Sequence, residues 1–280
     1  MSADAGIGTV GAYFTQLFAL VRLSAAQLVR SPSHSRRAEA ARRLARHALL
    51  TSAIAAAAIV ALMLWFDAAE IGLMPPRGMA SLWPVRILTD FGKDAYVLSC
   101  LAALLVIVAL AAVAMRGTWR AQWLSFGVRL LFLFFSVLTP ILAGEIIKWI
   151  VGRGRPFVGG NANPFNFAPL AGTEAYASFP SGHAITAAAL AFAVAALWPR
   201  ARPAMIVYAI LIAGSRLVLL AHHPSDVIAG AVIGVIGAMS VRYWFAARRL
   251  GFAIRRDGKI VPLRSSFGRR RTGVRRPSAP

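Results

Sequence analysis

Long apolar runs dominate this chain and leave it few structures to adopt. They fall at roughly 48–66, 96–115, 124–147, 184–198, 204–220 and 227–245. Each is about 15–24 residues long, against the ~20 that cross the hydrocarbon layer of a bilayer. Within that layer every backbone N–H and C=O must be satisfied by the protein itself, so segments of this kind are helices. The 280 residues are 58% hydrophobic and 15% charged, where a soluble domain carries about 25% charged residues. The expected fold class is all-α: a polytopic helical membrane protein with six transmembrane helices.

The charge supports that layout. The net charge of +21 would suggest nucleic acid in a soluble protein, but its placement argues for a membrane. Arg22, Arg30, Arg36, Arg37, Arg42, Arg43 and Arg46 precede the first run, and a basic stretch follows the last, from Arg248 to Arg276. Positive residues flanking spans stay on the cytoplasmic side, which six spans allow for both ends and five or seven do not. The short loops 116–123 and 199–203 carry Arg116, Arg120, Arg200 and Arg202 and fall on the same side. Loop 67–95 holds Asp67, Glu70, Asp90 and Asp94 and falls outside. Contact of the basic ends with anionic headgroups is compatible with this.

Three regions are expected. Residues 1–47 form a basic leader without a signal peptide. In it Val10, Tyr13, Phe14, Leu17, Leu20 and Val21 recur at helical spacing, which fits an interfacial amphipathic helix or a weakly ordered leader. Residues 48–247 form the six-span unit, and 248–280 a basic tail expected to be disordered. The single cysteine, Cys100, lies in an apolar run, forms no internal disulfide and reads as a packing residue.

Three polar blocks interrupt the second half: Lys148-x6-Arg155-Pro156, then Pro180-Ser181-Gly182-His183, then Ser215-Arg216-x5-His222-x3-Asp226. With six spans, loops 148–183 and 215–226 share the outer membrane edge. Lys148, Arg155 and Arg216 are fixed cations, and arginine adds a planar fork suited to phosphate oxygens. Read singly, Lys148 and Arg155 are equally compatible with snorkelling anchors. Ser181 fits a helix N-cap, and the N–H groups behind it form an anion site that Gly182 leaves open. His183, in the first turn, can donate a proton to a departing oxygen; the bland reading is a capped helix with a bystander histidine.

In the third block a carboxylate four residues after His222 can reach an imidazole N–H, leaving the other ring nitrogen as a nucleophile. His223 is the rival histidine. A metal on His183, His222, His223 and Asp226 is feasible by residue type, but three converging cations oppose it. Segment 157–180, rich in Gly, Asn, Pro and Phe, reads as a cap over the site. Gly230, Gly234 and Gly237 form a small-residue row that permits close helix contact.

These blocks resemble the signature of the type 2 phosphatidic acid phosphatase superfamily, and the likeness spans about residues 148–226. It implies a metal-independent, cofactor-free hydrolase of a lipid phosphate. His222 would form a phosphohistidine, Asp226 would orient it and His183 would be the general acid. Lys148, Arg155, Ser181, Gly182 and Arg216 would bind phosphate oxygens. Undecaprenyl diphosphate is the first expected substrate, with lipid A 1-phosphate, phosphatidylglycerophosphate and phosphatidic acid behind it. A lipid phosphotransferase using the same site and an anionic-lipid transporter are the alternatives. The expected location is a bacterial inner membrane, with both termini cytoplasmic and the site periplasmic. The expected partners are the lipid substrate and the bilayer, with no nucleic acid.

Overall fold

The computed structural model describes residues 3–156, 158–159 and 163–263. Nine helices follow one another in this region: α1 (Ala3–Val29), α2 (Arg37–Trp65), α3 (Asp67–Leu73), α4 (Trp83–Asp90), α5 (Asp94–Ala114), α6 (Gly117–Val151), α7 (Gly182–Leu197), α8 (Arg202–Val218) and α9 (Pro224–Ala247). A hairpin of β1 (Phe252–Ile254) and β2 (Ile260–Pro262) ends it.

By length and composition alone, six helical stretches could cross a membrane: 10–29, 37–65, 80–114, 117–151, 199–218 and 224–247. That set includes the leader and omits the shorter α7. Contacts reverse the choice. The Tyr13 hydroxyl donates to the Leu110 carbonyl near the end of α5 (2.9 Å), and the Trp244 indole donates to the Leu28 carbonyl near the end of α9 (3.0 Å). Both points lie at the end of the bundle away from the polar blocks. They are fifteen residues apart along α1, or ~22 Å of helix, so α1 lies across that end. Phe14, Phe18, Val21 and Val29 remain exposed along it, as an interfacial helix requires.

The short helix α7 is instead central. It packs on α6, α8 and α9, and its contact with α9 is the most extensive in the molecule. Its alanines, from Ala184 to Ala193, are buried almost without exception. The approach is close because α9 offers glycine: a Cβ at Gly230 would lie 2.4 Å from the Ser181 carbonyl oxygen, and one at Gly234 2.4 Å from that of Ile185. The spanning set is α2 and α5–α9, the six apolar runs of the sequence. The C-terminal ends of α2, α6 and α8 and the N-terminal ends of α5, α7 and α9 therefore share one end of the bundle.

The tail departs from expectation. Residues 252–262 are an ordered hairpin, because Phe252 adds to the edge-to-face cluster of Phe132 and Phe245, 4.7 Å from Phe132. The Ile254 N–H donates to His34 Nε2 (3.1 Å), and Arg43 donates to the Asp257 carbonyl (2.6 Å). The part of the disordered-tail expectation that falls on 264–280 lies outside the described residues.

Candidate active site

Helix α6 ends at Gly152, in a left-handed conformation (φ 54°) that favours glycine. A Cβ there would also stand 1.9 Å from the Ala168 carbonyl oxygen. The expected cap thus folds straight back onto the helix exit. The Gly154 N–H donates to the Asn166 carbonyl (2.8 Å), Arg155 N–H to Ala175 (2.9 Å) and Ser178 N–H to Arg153 (3.0 Å). These bonds fix Arg153 and Arg155 on alternate sides of a short extended segment and bring Ser178 to α9.

His222 Nδ1 donates to the Ser178 carbonyl oxygen at 2.8 Å. That fixes the tautomer and leaves Nε2 with its lone pair. Asp226 was expected to hold His222 directly, but its Oδ2 lies 3.9 Å from Nδ1. Oδ2 accepts instead from the Ser178 hydroxyl (2.6 Å) and the His223 N–H (2.8 Å). Ser178 bridges the two: its carbonyl takes the histidine and its hydroxyl the carboxylate. Asp226 is therefore linked to His222 through Ser178, because nearer donors occupy its oxygens.

Behind Ser178 lies an ion network invisible to the motif reading. Arg153, 1% exposed, donates to Asp226 Oδ1 (2.6 Å), Asp67 Oδ2 (2.8 Å), the Ser225 hydroxyl (2.6 Å) and the Pro164 carbonyl (2.9 Å). Ser225 also donates its N–H and its hydroxyl to Asp67. His223 faces this network: the charges acting on its ring are those of Asp226, Arg153 and Asp67. Burial, Arg216 and Arg155 act on the His222 ring, and the Asp226 carboxylate stands 3.9 Å from its Nδ1. His222 thus engages the cap through its ring, on the Ser178 carbonyl, and His223 engages Asp226 through its backbone N–H.

The expected phosphate ligands gather on the His222 side. Arg216 is buried and donates to the Thr89 hydroxyl at the end of α4 (2.8 Å). Lys148 Nζ lies 3.8 Å from where a Cβ would stand on Gly182. Ser181 occupies the N-cap position of α7 but makes no capping bond. Its Oγ is buried without a partner among the described residues, as are Arg155 Nε, Arg216 Nε and His183 Nε2. Buried polar atoms are normally bonded, and three orphans on expected anion ligands, with a fourth on the expected general acid, suit an oxygen-rich guest. Two cations hold substitutes meanwhile: Lys148 pairs with Glu145, and Arg155 with Glu174 (2.6 Å), whose carboxylate is 90% exposed. Pairs this open are worth about 0–1 kcal/mol, so a phosphate can displace them. Burial, and then Arg216 and Arg155, hold the His222 imidazole well below the usual histidine range. A lowered imidazole is the kind that a nucleophilic role requires.

Glu70, on α3, is 1% exposed and neither of its oxygens has a partner among the described residues. Burial, and then Asp67 and Asp226, raise its carboxyl from 4.5 to about 7. The folded protein keeps this proton where the unfolded chain releases it, so stability is lost as pH rises through that window. Glu70→Gln is expected to melt higher than the parent at pH 8 and close to it at pH 5. Melting curves in detergent at the two pH values check this; a difference independent of pH would refute it.

Comparison with known proteins agrees with the geometry. The PAP2 superfamily profile matches residues 129–250. Lipid A 1-phosphatase of Rhizobium johnstonii is 34% identical over 203 residues, covering 72% of this chain and 82% of that protein. Phosphatidylglycerophosphatase B of Escherichia coli is 30% identical over 174 residues, covering 48% of this chain and 68% of its own. A solved transmembrane PAP2 type phosphatidylglycerolphosphate phosphatase from Bacillus subtilis is 22% identical with a TM-score of 0.48, covering 70% of this chain and 94% of that one. With matched profile, relatives and polar blocks in one six-helix bundle, the chain belongs to the PAP2 superfamily.

Proposed function

We propose that this membrane-embedded lipid phosphatase removes the sugar-linked phosphate of a glycolipid of the lipid A kind, through a phosphohistidine on His222. The observation that carries the mechanism is the His222 ring itself: Nδ1 bonded to Ser178, Nε2 without a protein hydrogen bond among the described residues, and Arg155 and Arg216 as its charged neighbours. His222 Nε2 attacks phosphorus, the bond to the lipid oxygen breaks, and that oxygen takes a proton from His183. Water then attacks phosphorus and gives its proton to His183, while the phosphorus–nitrogen bond breaks, returning the lone pair to His222 Nε2 and releasing inorganic phosphate. Lys148, Arg155, Arg216, Ser181 Oγ and the backbone N–H groups from Gly182 onward hold the phosphate oxygens, where fixed donors act most strongly on developing charge. Asp226 holds Ser178, and with it the histidine.

The relatives favour the sugar-linked substrate over the polyprenyl diphosphate first expected. Two are named lipid A 1-phosphatase, and both match over 72% of this chain. The basic ends support a bacterial inner membrane with both termini cytoplasmic and the site periplasmic. The test is phosphate release by purified protein from lipid A, a polyprenyl diphosphate, phosphatidylglycerophosphate and phosphatidic acid, with the preferred lipid then offered to intact spheroplasts. Lipid A is expected to give the highest kcat/KM, and the spheroplasts to hydrolyse lipid supplied from outside. A polyprenyl diphosphate turning over fastest would overturn the substrate assignment, and turnover only after lysis the orientation.

A further inference from the structure

Beside the phosphate ligands lies a second cavity, of about 270 Å³. It shares Lys148 and Arg155 with the phosphate site, so its occupant is joined closely to the phosphate those cations hold. Its other walls are chemically distinctive. Trp149, at the end of α6, and Tyr176, in the cap, supply aromatic surface; Glu145, Glu174 and Thr173 supply oxygens. We infer that this cavity is a headgroup subsite for a sugar ring bearing the scissile phosphate. The inference rests on the phosphatase reading and goes beyond it by assigning residues that choose the substrate.

Ionised carboxylates only accept hydrogen bonds. When a phosphate takes Lys148 and Arg155, Glu145 and Glu174 are released to accept from donors on the same ligand. A sugar supplies hydroxyl and amide N–H donors at its rim, and a C–H face for the Trp149 or Tyr176 ring. The glycerol diester of phosphatidic acid offers acceptors alone there. A second phosphate, as in a polyprenyl diphosphate, would bring more negative charge against two carboxylates. Sites built to hydrogen-bond a donor discriminate strongly against ligands that lack it. The cap backbone meets this wall at Gly172, in a left-handed conformation (φ 64°), with Trp149 3.9 Å from where a Cβ would stand.

Glu174→Gln and Trp149→Leu test this, with Glu174 exposed enough for its exchange to leave folding intact. The measured quantity is kcat/KM on lipid A divided by that on phosphatidic acid. Both variants are expected to lower the ratio by about tenfold or more, the usual consequence of losing a charged hydrogen bond or a stacked ring. Calorimetric binding of N-acetylglucosamine 1-phosphate, against inorganic phosphate, needs no turnover. The sugar phosphate is expected to bind the parent more tightly, and the Glu174→Gln variant no better than inorganic phosphate does. Equal loss on both lipids, or equal binding of the two soluble phosphates by the parent, would overturn the subsite. Preferential sugar-phosphate binding without phosphate release from any lipid would sink the phosphatase reading alone.

Discussion

His222→Ala is expected to stop phosphate release from every lipid phosphate, with a loss of about four orders of magnitude or more, as removal of a nucleophile gives elsewhere. The geometry names which histidine matters. His222 has its tautomer set by Ser178 and stands among Arg155, Arg216 and His183, whereas the His223 ring is buried without polar partners beside Asp226 and Arg153. Rapid quenching with a ³²P-labelled substrate is the decisive measurement. Label should appear on the protein in an acid-labile, base-stable form and vanish in His222→Ala. A His183→Ala variant should keep the label longer, because it lacks the base for the water step, and should recover part of its first step with a leaving group that needs no proton. The substitution leaves the Ser178 carbonyl without its donor, a cost of about 1–3 kcal/mol, so folding is checked alongside. Label retained in His222→Ala, or lost only in His223→Ala, would remove His222 from the mechanism.

The sequence made some parts of this site readable and hid others, and distance along the chain separates them. Ser181, Gly182 and His183 are contiguous, and His222 and Asp226 are one helical turn apart, so local spacing places them. The span count then brings Lys148, Arg155 and Arg216 to the same end. Asp67 and Glu70 follow directly on an apolar run and look like ordinary acids of an outer loop. Only the folded chain shows them buried. Asp67 meets Arg153 across 86 residues and Ser225 across 158. No periodicity encodes such a meeting, and Arg153 sits two residues from Arg155, which the motif favours. The direct contact of Asp226 with His222 was unreadable for a related reason: in the structure Oδ2 stands 3.9 Å from the ring and bonds to Ser178 and His223 instead. Spacing says what a carboxylate can reach, not which donors reach it first. In the tail, basic composition outweighed Phe252, whose burial depends on partners in α6 and α9.

Arg153→Met is expected to be the most destabilising single change near the site. One guanidinium neutralises two buried carboxylates, of Asp67 and Asp226, each 0% exposed. Removing it leaves like charges side by side without water, next to the unpartnered Glu70. Breaking a buried pair in this way costs about 3–5 kcal/mol. Melting in detergent at a fixed scan rate should fall by several degrees or more, and turnover should drop with it because Asp226 no longer holds Ser178 in place. Adding Asp67→Asn to Arg153→Met tests the cause. If the penalty is unpaired charge, the double variant melts above Arg153→Met, and its total loss is smaller than the sum of the two single losses. If the penalty is lost packing around the arginine stem, the losses add. Arg153 is then a spacer and not the counter-charge of the network that positions His222.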